Sequence, residues 1–237
     1  MELFKRVVLA VIFIPVILGI FYFGGIALLS FLSLIVFFMM FEMREMFLQK
    51  GVIIPIILLP VSILIFISLS LFGAKEIIFS ILLIFIIVLG NDLFRNRLEG
   101  SISRVSTSIF SIVYSAVFLS TVYRISVLEN GNLLILSLLI LLWITDTFAY
   151  FTGLLFGKHR GIFKASPKKS VEGFLGGLFF ALIGGFVIYI FADISIDKSL
   201  AAAICAGVFG QFGDLFESIL KRDAGVKDSS NLLPGHG

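Results

Sequence analysis

Long apolar runs constrain this chain more than any other feature. From Val7 to Phe23 there is no charged side chain, and seven further stretches are predominantly apolar, at about 26–41, 52–72, 77–90, 105–123, 132–152, 171–192 and 199–220. A helix of about 20 apolar residues crosses the hydrocarbon core of a bilayer. The strands of a membrane barrel would instead alternate apolar and polar residues, and these runs do not alternate. The chain is therefore expected to be all-α, a polytopic transmembrane helical bundle with about eight spans. Residues 77–90 form the shortest span and would also suit a buried or tilted helix. A hydrophobic content of 59%, only 14% charged residues and a mean hydropathy of +1.16 exclude an ordinary soluble domain.

The N-terminus, Lys5-Arg6 before an apolar run, imitates a signal peptide. No small-residue cleavage site follows, and the run is long enough to span, so it reads as the first helix. The single cysteine, Cys205, lies in an Ala- and Gly-rich stretch and is expected to be a small buried helix residue. Residues 1–104 are taken as the N-terminal helices and 105–237 as the C-terminal helices carrying the site.

Charge distribution sets the expected orientation. With the N-terminus in the cytoplasm, fifteen of the eighteen Lys and Arg residues fall on that side. The three on the other are Lys75, Arg124 and Lys198. This is a strong positive-inside bias. It places the polar segments 157–172 and 221–237 in the cytoplasm, with the protein in the cell membrane as a multi-pass chain. No nucleic-acid partner is expected.

Three segments carry candidate chemistry. In Trp143-Ile-Thr-Asp146-Thr-Phe-Ala-Tyr150-Phe-Thr-Gly153, Asp146 interrupts an apolar helix, with Tyr150 and Gly153 on its face. Intramembrane carboxylates are costly and point to function, the alternative being one satisfied by a neighbouring helix. The second segment, Gly157 to Gly173, contains Pro167-Lys168-Lys169-Ser170-Val-Glu172. Ser170 suits an N-cap, and the two lysines would then lie beside a helix N-terminus. Free N–H groups, the helix dipole and ammonium groups would make a phosphate site there. A loop holding acidic lipid heads is the alternative.

The third segment begins in the last span. Asp214, Glu217, Ser218 and Lys221 recur at helical spacing and share a face. Asp214, Glu217 and Asp228 are hard oxygen donors suited to Mg²⁺, while Lys221, Arg222 and Lys227 suit phosphate oxygens. Interleaved acids and bases fit metal-assisted phosphoryl-type transfer. A juxtamembrane loop of mixed charge is the plainer reading, and His236 could be a ligand, a phosphate donor or part of a turn. Glycines at 173, 176, 177, 184, 185, 207, 210 and 213 are expected to allow close helix packing. Glu42, Arg44, Glu45 and Arg95 to Arg104 read as interfacial anchors.

The run Ser218-x-Leu220-Lys221-Arg222-x4-Lys227-Asp228-x-Ser230-x2-Leu233-Pro234-x-His236-Gly237 resembles the signature of the phosphatidate cytidylyltransferases, the CDP-diacylglycerol synthases. Ser166-Pro167-Lys168-Lys169-Ser170-x-Glu172-Gly173 resembles a second family stretch, where Thr and an aromatic usually replace Ser170 and Val171. Asp146-x-Phe-Ala-Tyr150 with Gly153 and Gly157-Lys158 looks like a third. The resemblance covers residues 143–237; residues 1–130 show only compatible hydropathy. The family signature runs on past His-Gly, so further acids and a ninth span are expected beyond residue 237.

The resemblance implies that CTP and phosphatidate, with Mg²⁺ and as an option a second cation, give CDP-diacylglycerol and pyrophosphate. It makes Asp214 the leading metal ligand, with Asp146 and Asp228 as further candidates. Lys168, Lys169, Lys221, Arg222 and Lys227 would hold phosphates, and Ser170, Glu172, Glu217, Ser218 and His236 would bind or orient substrate. Membrane lipids surround the site, and a homodimer is compatible with such an enzyme, though no single residue specifies one. Cytidylyl transfer to another lipid phosphate, a transporter with buried acids and a lipid kinase are the alternatives.

Overall fold

The computed structural model describes residues 2–72, 75–95, 98–227 and 229. These residues form eight helices: α1 (Glu2–Phe23), α2 (Gly25–Gln49), α3 (Leu58–Phe72), α4 (Lys75–Phe94), α5 (Ser101–Ser126), α6 (Gly131–Phe156), α7 (Val171–Phe191) and α8 (Ile196–Asp223). There is no β-strand among the described residues, only an isolated bridge between Arg160 and Ser170. Each apolar stretch of the sequence falls in one helix. Five helices (α2, α5, α6, α7 and α8) are long and apolar enough to cross a membrane, and α1, α3 and α4 contain shorter apolar segments. The protein is an all-α, multi-pass membrane protein.

Helix boundaries depart from the apolar runs where local chemistry overrides hydropathy. The third run begins near 52, yet α3 begins at Leu58. Pro55 lacks an N–H and disfavours a helical residue before it, so the chain turns first, with Leu58 N–H donating to the Pro55 carbonyl. Pro60 then falls in the first turn of α3, where its missing donor costs little. The fourth run, the shortest by sequence, belongs to a helix that extends through Asp92 to Phe94.

Two compact units account for the chain, and neither is continuous in sequence. One comprises Met1–Ala27 and Ile125–Leu220, hence α1, α6, α7 and most of α8. In it, α7 presents a stripe of small buried residues, Gly173, Gly177, Ala181 and Gly185. Four-residue spacing aligns them on one face, which lets neighbouring backbones approach closely. A Cβ on Gly173 would lie 2.7 Å from the Ala149 carbonyl oxygen of α6, and one on Gly207 of α8 would lie 3.0 Å from the Leu178 Cα. The Ser199 hydroxyl donates to the Gly185 carbonyl at 2.5 Å, a polar tie between α8 and α7. The packing expected of the glycines thus holds for α7, Gly207 and Gly210, whereas Gly213 has open space around it.

The other unit comprises Leu28–Arg124 and Lys221–Gly237. Its α2 buries Leu28, Leu32, Val36, Met40 and Met43 on one stripe. Buried serines turn back to their own helix: Ser111 and Ser115 of α5 each donate to the carbonyl four residues earlier, at 2.7 Å. Arg44 pairs with Glu45 at 2.8 Å, and both lie within α2 rather than beyond it. Arg104 also ties two helices together: its Nε donates to Asp92 Oδ1 at 2.5 Å, and both side chains are 12% exposed.

Two helices carry a π-helical segment, Val113–Val117 in α5 and Cys205–Gly210 in α8. Cys205, expected to be buried, is exposed. In that part of α8 the buried face is made by Ala202, Ala203, Ala206 and Gly207, and Cys205 lies on the other side.

Candidate functional site

In the unit that holds α6, α7 and most of α8, three segments converge on one cavity of about 710 Å³. The α6 wall supplies Asp146, Tyr150 and Gly153; these are one helical face, as their spacing predicts. The loop before α7 supplies Arg160, Phe163, Lys168 and Lys169, and α7 opens onto the cavity with Ser170 and Gly173. The α8 wall supplies Gln211, Asp214 and Leu215. The lining therefore mixes two carboxylates with three cationic side chains.

The first turn of α7 explains how the lysines are held. Ser170 has extended backbone angles, and its hydroxyl accepts the Gly173 N–H at 3.1 Å, the N-cap the sequence predicts. The Val171 N–H donates to the His159 carbonyl at 3.1 Å. The donors of Val171 and Gly173 are thus already used, so they are not free for a phosphate as expected. What remains for an anion here is the positive end of the helix dipole and the ammonium groups beside it.

A short hairpin-like base supports the loop. The Glu172 carboxylate accepts from His159 Nδ1 at 2.6 Å and from the His159 backbone N–H at 3.2 Å. Gly161, with a positive φ of 76°, donates to the Pro167 carbonyl. Arg160 closes the end of α6: its Nη2 donates to the Gly153 carbonyl at 2.6 Å and its Nε to the Gly157 carbonyl at 3.1 Å. The guanidinium thereby adds a donor to the Gly153 carbonyl, which already accepts the Gly157 N–H, and supplies one to the Gly157 carbonyl beyond the helix end.

Lys169 Nζ and the Asp214 carboxylate form an ion pair, with side chains 33% and 52% exposed. Asp146 is exposed to the cavity and near enough to feel the charges of both Asp214 and Lys169. Lys169 thus pairs with Asp214, and Asp146 lines the same cavity from α6.

The structure brings Asp146, Lys168, Lys169, Ser170 and Asp214 together on this cavity. Glu172 braces the loop through His159. Glu217 and Ser218 lie on the next turn of α8 and do not line the cavity. Lys221, Arg222 and Lys227 belong to the other unit, where Asp223 pairs with Lys50 at 2.6 Å and the Ser229 hydroxyl donates to Glu42 at 2.7 Å. Asp228 and His236 lie outside the described residues. No group of three or more His, Cys, Asp or Glu residues able to hold a metal ion occurs among the described residues.

Sequence reasoning missed Arg160 and Gln211. Arg160 was indistinguishable from the other bases of a positive-inside loop. Gln211 left a signal, being the one polar amide in the apolar run from Ala201 to Phe212.

Fold and site together define an integral membrane protein of the polytopic α-helical class, with a cavity of carboxylates and cations at a capped helix N-terminus. The chain belongs to the cytidylyltransferase family, which matches residues 4–237. A Staphylococcus saprophyticus protein is 36% identical over 98% of this chain and 88% of its own length. Proteins of Staphylococcus haemolyticus and Staphylococcus aureus are 33% and 32% identical over the same shares. All three are named phosphatidate cytidylyltransferase.

Proposed function

We propose that the chain transfers a cytidylyl group from CTP to phosphatidate, giving CDP-diacylglycerol and pyrophosphate, in phospholipid biosynthesis. The observation that carries this is the Lys169–Asp214 pair in a cavity that also holds Asp146, Lys168 and Arg160, in a chain of this family. A phosphate oxygen of the lipid attacks the α-phosphorus of CTP. The bond from that phosphorus to the bridging oxygen of the β-phosphate breaks, and pyrophosphate leaves with the electron pair.

Both reactants are anions. At about 4 Å two unit charges repel by roughly 4 kcal/mol at an effective dielectric near 20, so cations must offset this before reaction. Lys168 and Lys169 line the cavity beside the positive end of α7, which supports their holding the two phosphates. A phosphate monoester is largely ionised near neutral pH, so the attacking oxygen needs no strong base.

Asp146 and Asp214 fit Mg²⁺. That ion takes one or two carboxylates and completes its shell with water and substrate phosphates, so two hard donors on one cavity suffice. When bound, Mg²⁺ would supply charge neutralisation at the transferring phosphate. Lys169 holds Asp214 in place and offers its ammonium group to an incoming phosphate. Positive-inside asymmetry supports a cytoplasmic mouth in the cell membrane, within reach of CTP.

The test is pyrophosphate release by the purified protein with CTP, phosphatidate and Mg²⁺. Each component is omitted in turn. Release that requires all three is expected; no release from a folded preparation would refute the reading.

A further inference from the structure

Gln211 sits at a point where α8 departs from regular geometry. The π-helical segment Cys205–Gly210 ends beside it, and its backbone N–H donates to the Val208 carbonyl. The Gly207 carbonyl is instead taken by the side chain: Gln211 Nε2 donates to it at 2.5 Å and to the Phe174 carbonyl of α7 at 3.0 Å. Both partners are carbonyls, which only accept. The amide orientation is therefore dictated by chemistry, with nitrogen toward the two helices.

Both N–H donors of the amide are thereby used. The remaining polar atom, Oε1, receives no hydrogen bond among the described residues. The residue is only 5% exposed, and that exposure is to the cavity whose wall it forms. Oε1 is not among the sealed polar atoms that lack a partner, so it is open to the cavity that Gln211 lines, where a donor from a ligand can reach it. Gln211 is one helical turn from Asp214, in a cavity sized for a small-molecule ligand.

We infer that Gln211 determines base specificity, its pinned carbonyl oxygen accepting a hydrogen bond from the 4-amino group of cytosine. This rests on the cytidylyl-transfer reading above. Diacyl phosphatidate, ionised, has no donor to offer, so the donor comes from the nucleotide. A ribose hydroxyl can also donate to this oxygen, but every ribonucleotide carries one, so that contact would give no base discrimination, and 2′-deoxy-CTP tests it separately. The 4-amino group, conjugated with the ring, acts as a donor, and uracil places an acceptor at the same position. The two carbonyls that hold Nε2 prevent the flip by which a free glutamine would accommodate uracil.

The experiment measures kcat/KM for wild type with CTP, 2′-deoxy-CTP, UTP and the 2-pyrimidinone ribonucleoside triphosphate, which is CTP without its 4-amino group. It repeats the set with Gln211→Leu and Gln211→Met, which keep most of the volume. Wild type is expected to lose roughly 10- to 100-fold on removal of the amino group, with a greater loss for UTP. Both variants should lower the rate with CTP and narrow the CTP-to-pyrimidinone ratio toward one. An unchanged ratio at a lower overall rate would make Gln211 a packing residue and overturn the inference. Should both variants fail to fold, wild type alone decides: indifference to the 4-amino group, or a larger loss with 2′-deoxy-CTP, overturns it. A wild type that uses UTP as well as CTP sinks the inference and leaves nucleotidyl transfer standing, whereas no turnover with any nucleotide sinks both.

Discussion

Lys169, just before the cap of α7, and Asp214, within α8, pair across the wall of a single cavity. The pair is partly solvated, and such ion pairs contribute at most about 1 kcal/mol to stability. Its importance is positional: it places an ammonium group and a carboxylate side by side where phosphates would bind. Asp214→Asn is expected to leave thermal unfolding in detergent nearly unchanged while Mg²⁺-dependent turnover falls by about 100-fold or more. Near-normal turnover would remove Asp214 from the site.

That pairing shows where sequence reading stopped. The helices were legible because a bilayer demands long apolar runs, and the Ser170 cap was legible because caps are local chemistry. Lys169 and Asp214 each stood out alone, but their contact depends on how closely α7 and α8 pack. Gln211 was visible only as a polar interruption, since the π-helical segment that directs its amide leaves no clear pattern in composition. The use of the Val171 donor within the loop base was hidden for a similar reason: the His159 carbonyl is brought there by the hairpin, not by sequence proximity.

The Ser170 hydroxyl serves two roles, which makes a second prediction. It caps α7, so Ser170→Ala should cost about 1 kcal/mol. It also lies close to α6: a Cβ on Gly157 would sit 2.8 Å from Ser170 Oγ and collide with the Gly153 carbonyl. Gly157→Ala should therefore destabilise more than Ser170→Ala. Removing the Ser170 hydroxyl relieves one of the two clashes, while that with the Gly153 carbonyl stays, so the double variant should be somewhat less destabilised than the sum. Strict additivity in thermal unfolding would contradict the shared contact.

Glu172 ties the base of the 157–170 loop through both the ring and the backbone of His159. The loop carries Lys158, Arg160, Lys164 and Lys168, all exposed and all cut by trypsin when accessible. Glu172→Ala is expected to speed limited trypsin cleavage between residues 158 and 169 several-fold, with the rest of the protein resistant. Equal cleavage rates for variant and wild type would show that the loop is held without this carboxylate.

In the other unit, Asp92 and Arg104 join α4 to α5 from within the protein. The Ser101 hydroxyl donates to the second carboxylate oxygen, and Arg104 Nη1 donates to the Glu99 carbonyl at 2.6 Å. The pair is partly shielded, and breaking it from one side leaves a charge at the junction without its counter-ion. Asp92→Leu should therefore lower thermal stability, because it removes the carboxylate from Arg104 Nε while Nη1 keeps only the neutral Glu99 carbonyl. Adding Arg104→Met should recover much of the loss, since two apolar side chains of similar volume need no partner. The comparison is read by unfolding of the purified variants in the same detergent. If the double variant is as unstable as the sum of the two singles, the pair is not coupled and the junction of α4 and α5 is held by packing alone.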